Sequence, residues 1–179
     1  MVNKLKNELV DELSLTDTLK SVSDNMCSDT DKFCIDFDMF PSFCLKECGV
    51  CQNEPATVDS LFLNIPKNHT LFIEFKDLKT VNEPKEWLTT EKLQQIYLKV
   101  HESFHMLSKY MVKKSLATYD DFYHHKKSVF IVYDTQGDKK RDFHNHFKGK
   151  VNRFNYLVEN IQVINCDNFK QFIIKENLC

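Results

Sequence analysis

The stretch from Val58 to Asp134 constrains the fold of this chain more than any other. It opens with two apolar runs, 57–64 and 70–77, separated by Pro66-Lys67-Asn68-His69, a linker whose length and polarity suit a hairpin. From Thr89 to about Lys114, Leu93, Ile96, Tyr97, Val100, Phe104, Leu107 and Met111 recur at helical spacing. Thr89 or Thr90 supplies an N-cap for this helix and Glu91 a favourable charge in its first turn. Ser128 to Asp134 is then a short continuous apolar run, the mark of a strand covered on both faces. A strand, a long helix and a buried strand make a crossover unit. The sequence therefore predicts a mixed sheet with a hairpin on one side and a parallel pair at its centre.

The flanking segments extend this plan. Leu5, Leu9 and Leu13, spaced by four, predict a short amphipathic helix within 3–20. Residues 22–31 are polar and turn-like, and 33–40 alternate as a strand that stops at Pro41, ahead of a Cys-rich loop reaching about Pro55. Farther on, 147–159 suit a helix, 161–164 a short strand and 168–175 a closing helix. With 179 residues, 42% of them hydrophobic and fifteen of them Phe, the chain has material for one packed domain spanning 1–179. Its core covers about 3–134, with an α/β extension over 135–179 and a central sheet of four or five strands.

A net charge of −2 gives no global pull toward nucleic acid, so any such contact falls to local basic runs such as Lys139-Lys140-Arg141. Seven cysteines, an odd number without a regular framework, point to a reducing, cytoplasmic setting. No apolar run approaches the length needed to span a bilayer, and none reads as a signal peptide.

The chemistry gathers on the hairpin. Alternate strand residues share a face, so Glu74 and Lys76 point one way while Phe75 points the other and offers its backbone carbonyl. If the hairpin brings Asp59 beside them, two carboxylates and a carbonyl can hold Mg²⁺ or Mn²⁺, with Lys76 free to orient a water. The order αβββαβ, with Asp59 opening the second strand and Glu74-Phe75-Lys76 ending the third, resembles the PD-(D/E)xK, or restriction-endonuclease-like, nuclease superfamily. The resemblance implies a mixed central sheet flanked by helices and hydrolysis of phosphodiesters, in DNA more readily than RNA. It also implies that Asp59 and Glu74 bind metal and that Lys76 assists the attacking water. An acid of the first helix, Glu12 or Glu8, would complete the site. Polar residues of the long helix, Gln94, His101 or Ser108, would be accessory to it. Because one domain carries one such site, cutting both strands of a duplex would require a homodimer or a larger complex.

Two other patterns compete. His101-Glu102-Ser103-Phe104-His105 sets two imidazoles at i and i+4 around a Glu, the arrangement of a zinc metallopeptidase. Against it stand Lys99, where that pattern wants an uncharged residue, and the lack of a well-placed third ligand downstream. Cys44, Cys48 and Cys51 could hold a structural Zn²⁺ if Cys34, Cys27 or His69 gave a fourth ligand, which in a catalytically silent nuclease fold would leave a binding module. The same spacing resembles the iron–sulfur motif of radical S-adenosylmethionine enzymes, whose barrel needs a longer chain. As ordinary buried thiols, these cysteines would simply pack.

Overall fold

The computed structural model describes residues 1–27, 32–48, 55–83, 87, 89–135, 141, 144–146, 158, 160–176 and 178. Among them six strands form one mixed sheet: β1 (Thr16–Thr18), β2 (Phe33–Asp36), β3 (Ser60–Asn64), β4 (His69–Asp77), β5 (Lys126–Asp134) and β6 (Asn160–Asn165). They lie side by side in chain order. The pairs from β1 to β4 are antiparallel, and β4–β5 and β5–β6 are parallel. The predicted hairpin and central parallel pair are both present. A sixth strand arises because β1 forms past Ser14, beyond the leucines that define the predicted first helix.

Helix α1 (Val2–Lys6) runs on as a π-helical turn, Asn7–Glu12, and ends where Ser14 takes a left-handed conformation at φ 54°. Four further helices are α2 (Leu19–Val22), α3 (Phe40–Cys48), α4 (Thr90–Lys113) and α5 (Tyr119–His124). The chain closes with α6 (Cys166–Glu176). Helix α4 begins as expected, with the Thr89 side chain accepting from the Lys92 N–H and Glu91 in the first turn. The strand predicted to run to Phe40 stops at Asp36 instead. The Asp36 carboxylate accepts from the Asp38 N–H, a turn that redirects the chain into α3. Pro41 sits in the first helical turn, where no N–H is needed, so the segment read as a loop is helical through Cys48. The helix expected at 147–159 lies almost wholly outside the described residues.

Every central strand is covered on both faces, which explains its unbroken apolar run. Leu61, Leu63, Phe72, Val129, Ile131 and Tyr133 face α1, α3 and α4. Phe62, Leu71, Ile73, Phe75, Phe130 and Val132 face Leu19 of α2 and Phe169 and Ile173 of α6. Cys27 and Cys166 join as a disulfide in this second layer, their Cα atoms 5.8 Å apart and 139 residues separate in sequence. This pair departs from the expectation of reduced thiols throughout. No helix among the described residues is long and apolar enough to cross a membrane.

Two buried polar contacts in the core carry predictions. The Tyr110 hydroxyl donates to buried Glu8 at 2.5 Å, and burial followed by that carboxylate pushes the phenol pKa up. Tyr110→Phe removes the donor and leaves the acid less satisfied, so we expect a loss of about 1–3 kcal/mol in denaturant unfolding. An unchanged unfolding midpoint would show that Lys114, 3.9 Å from the same acid, suffices alone.

His125 is buried at the opposite end of the sheet from Asp77. Its Nε2 pairs with the Thr70 hydroxyl at 2.8 Å, and its Nδ1 has no partner among the described residues. Burial, followed by the Lys127 charge, pulls its pKa down to about 3. The unfolded chain takes up this proton more readily, so the neutral imidazole's stabilisation is full above about pH 6.5 and is lost as pH falls toward 3. His125→Gln should therefore soften acid destabilisation between pH 7 and pH 4 by up to about 3 kcal/mol. Identical pH profiles for the two proteins would rule His125 out as the acid-sensitive group.

Candidate active site

The β3–β4 ladder begins at Ser60 opposite Ile73, so one step outward brings Asp59 to the level of Glu74. Asp59 does not continue the ladder. Its Oδ2 instead accepts from the Phe75 N–H at 2.5 Å, which fixes the carboxylate against the end of β4. Because a strand residue's N–H and C=O leave the chain on the same side, Phe75 turns its carbonyl toward Asp59 as well. The Phe75 ring lies in the second layer against Phe169, as the alternation predicts.

Glu74 shares its face with Phe72, beneath α4, and is fully buried. Its Oε1 pairs with Lys76 of the same strand and with Lys99 of α4, the latter at 2.9 Å. The Lys99 ammonium also reaches Asp59 Oδ1, at 3.1 Å. One cation thus already spans both carboxylates, the contact that hairpin pairing alone could not guarantee. Glu74 Oε2 has no hydrogen-bond partner among the described residues. Burial, and then the Asp59 charge, raise the Glu74 pKa, while the two lysines oppose that rise. Burial lowers the Lys99 pKa, but Glu74 and Asp59 together outweigh it and leave a net rise.

The segment leading into Asp59 is clamped from α4. Glu102 accepts from the Ala56 N–H at 2.5 Å and Ser103 from the Val58 N–H at 2.8 Å, while the Phe37 N–H donates to the Asp59 carbonyl. This gives Glu102 a positioning task. It is turned to a backbone amide, and His101 and His105 lie exposed on the helix. Among the described residues no further His, Cys, Asp or Glu gathers with these three into a metal-holding group.

Other residues singled out in the sequence lie elsewhere. Glu8 is bound to Tyr110, eleven residues beyond Lys99 on α4 and hence about 16 Å along its axis. Glu12, at the end of the same first helix, is exposed. Gln94 is exposed, and buried Ser108 donates to the His105 carbonyl; the long helix reaches the acids through Lys99 instead. Of the cysteines, Cys44 and Cys48 have sulfurs 3.8 Å apart on the α4 side. Cys34 is buried in the opposite layer, its pKa pushed up to about 12 by burial, so the sheet itself keeps it from completing a Zn²⁺ site with them. Cys27 is committed to Cys166, and His69 pairs with Ser128 at 2.9 Å. Cys51 lies outside the described residues.

Two clefts meet at the cluster. One, of about 320 Å³, is lined by Asp24, Asp36, Asp38, Asp59 and Asp77, with Lys76 as its only cation among the described residues. Burial, reinforced by Asp59, lifts the Asp38 carboxyl to about 6. The other, of about 190 Å³, lies under the first turns of α4 between Glu74 and Trp87.

No family model matches this chain, nor does any curated protein or solved structure. The site must therefore be judged on its own chemistry. Among the described residues no three His, Cys, Asp or Glu side chains converge as a ready metal cage. Two carboxylates and a carbonyl are nonetheless a donor set that suits Mg²⁺, which keeps several waters and uses few protein oxygens. The orphaned Glu74 Oε2 and the ammonium lodged between the acids fit the same reading.

Proposed function

We propose that the protein is a Mg²⁺- or Mn²⁺-dependent nuclease of restriction-endonuclease-like type, hydrolysing phosphodiester bonds of nucleic acid, DNA in preference to RNA. The observation that carries this reading is the single ammonium shared by Asp59 and Glu74 beside Lys76, with one buried Glu74 oxygen left without a partner. A buried carboxylate with an unsatisfied oxygen is costly to the fold and is expected where it serves a ligand.

In this proposal Asp59, Glu74 and the Phe75 carbonyl hold the cation. Bound there, it supplies charge neutralisation at the phosphoryl oxygen and a more acidic water. Lys76, on the same strand face as Glu74, orients the attacking water and donates to the charge that develops on the phosphoryl oxygens. With a cation held there, the Lys99 ammonium, which pairs with both carboxylates, would serve as a second cationic donor toward the phosphate. Glu102 and Ser103 keep Asp59 in register through the backbone.

The test is cleavage of supercoiled plasmid and single-stranded DNA with Mg²⁺ or Mn²⁺ by the wild type, Glu74→Ala and His101→Ala. Cutting by the wild type and His101→Ala but not by Glu74→Ala is the expected result. Equal cutting by the wild type and Glu74→Ala would overturn it. No cutting by any of the three would leave a binding module.

A further inference from the structure

The two clefts beside the cluster differ sharply in charge, and this bears on what approaches it and from where. On one side of Lys76 five aspartates line the wall. On the other, Lys76, Lys92 and Lys99 stand around the single carboxylate of Glu74, with Trp87 and Gln95 completing the wall. Of these two clefts, the lysine side is the one whose charge among the described residues favours a polyanion. Lys76 and Lys99 are paired with the acids, whereas Lys92 has no ion-pair partner among the described residues and is exposed. Trp87 is partly buried against the α4 layer yet forms part of the cleft wall.

We propose that this cleft seats one nucleotide of a single strand, its base against Trp87 and its phosphates among Lys92, Lys99 and Lys76. The proposal takes from the nuclease reading only that the ligand is nucleic acid. An aromatic face beside clustered ammoniums is the combination by which single strands are held without sequence reading, since every base has a π-face. The volume limits the occupant to a base, with its sugar and phosphates at the mouth of the cleft. At about 190 Å³ the cleft is smaller than a drug-sized ligand pocket and has no room for a duplex. The ladder of aspartates next door keeps the phosphate chain from continuing through the cluster, so the strand enters and leaves on the Trp87 side.

Trp87 is the chain's only tryptophan, so its fluorescence reports this cleft alone. A short oligothymidylate, titrated in EDTA at low salt, should quench it. Binding should weaken with salt at a log–log slope of about −1.4, as expected for the two phosphates that flank one nucleotide of a single strand. Lys92→Ala should bind about 5-fold more weakly and flatten the slope by about 0.7. With a labelled oligomer, Trp87→Ala should lose about 10-fold in affinity, while Trp87→Phe, which keeps a stacking ring, stays near wild type. Inorganic phosphate, polyglutamate and a duplex of equal length should leave the fluorescence unchanged. Quenching by polyglutamate, equal affinity for the duplex, no quenching by the oligomer, or wild-type binding by both Lys92→Ala and Trp87→Ala would each overturn the proposal. Because no divalent ion is present, binding without any later cleavage would refute the nuclease reading alone. Glu74-dependent cleavage with binding indifferent to Trp87 and Lys92 would refute this inference alone.

Discussion

Glu74→Gln is expected to lower metal-dependent cleavage by about 10³-fold, the scale on which the loss of one preorganised electrostatic group is felt in catalysis. It should do so without unfolding the protein. Glu74 is fully buried, burial raises its pKa, and one of its oxygens has no partner among the described residues. A glutamine of the same shape removes the cost of keeping a charge there. The sign follows from the raised pKa: ionised Glu74 is held at a cost that grows as pH rises through and above the ordinary carboxylate range. At pH 8 the variant's thermal midpoint should therefore equal or exceed the wild type's, even though Lys76 and Lys99 lose a charged partner. A residue whose removal kills activity and spares stability is one that the fold keeps for function. A midpoint falling by ten degrees or more together with activity would assign Glu74 to the fold.

Lys99→Ala should produce the second large effect, and with the opposite pattern. Lys99 is the common counter-ion of Asp59 and Glu74, so its loss leaves two neighbouring carboxylates facing each other, one of them buried. Removing one partner of a buried charge pair costs about 3–5 kcal/mol, and the part-exposed position of Lys99 reduces this to about 2–3 kcal/mol. The deficit should be present in EDTA and largely recovered in Mn²⁺, because an ion that binds only the folded state stabilises it by mass action. Calorimetry on both proteins, with and without Mn²⁺, checks this. A wild type that gains more from Mn²⁺ than Lys99→Ala does would show that the ammonium and the ion do not compete for one place.

The hairpin and the crossover were legible in the sequence because both rest on periodicity. The apolar runs of β3, β4 and β5 cannot be accommodated except as strands with two covered faces, and the α4 stripe is long enough to be unambiguous. Glu74 and Lys76 followed from the two-residue repeat of a strand. Lys99 did not, although the helix carrying it was located correctly. On a helical projection it lies about 60° from the centre of the buried stripe, whereas Gln94 and His101 lie about 140–160° away on the other flank. Which flank meets the acids depends on how the helix is rotated over the sheet, and periodicity does not contain that information. The same holds for Glu8. Its place on the first helix was legible, but its pairing with Tyr110 depends on where α1 crosses α4. Helix α3 was hidden by Pro41, read as a stop where it is a start. The disulfide joins residues too far apart in sequence for any spacing to announce it.

The strands lie across the sheet in the order in which a ribosome would deliver them. A nascent chain can therefore add each strand to an edge that already exists, without threading a late segment between two early ones. Asp59, Glu74, Lys76 and Lys99 all belong to one stretch of this growing chain, complete before β5 is made. The charged cluster can thus draw together while one side of β4 is still bare, and the arrival of β5 then seals that side.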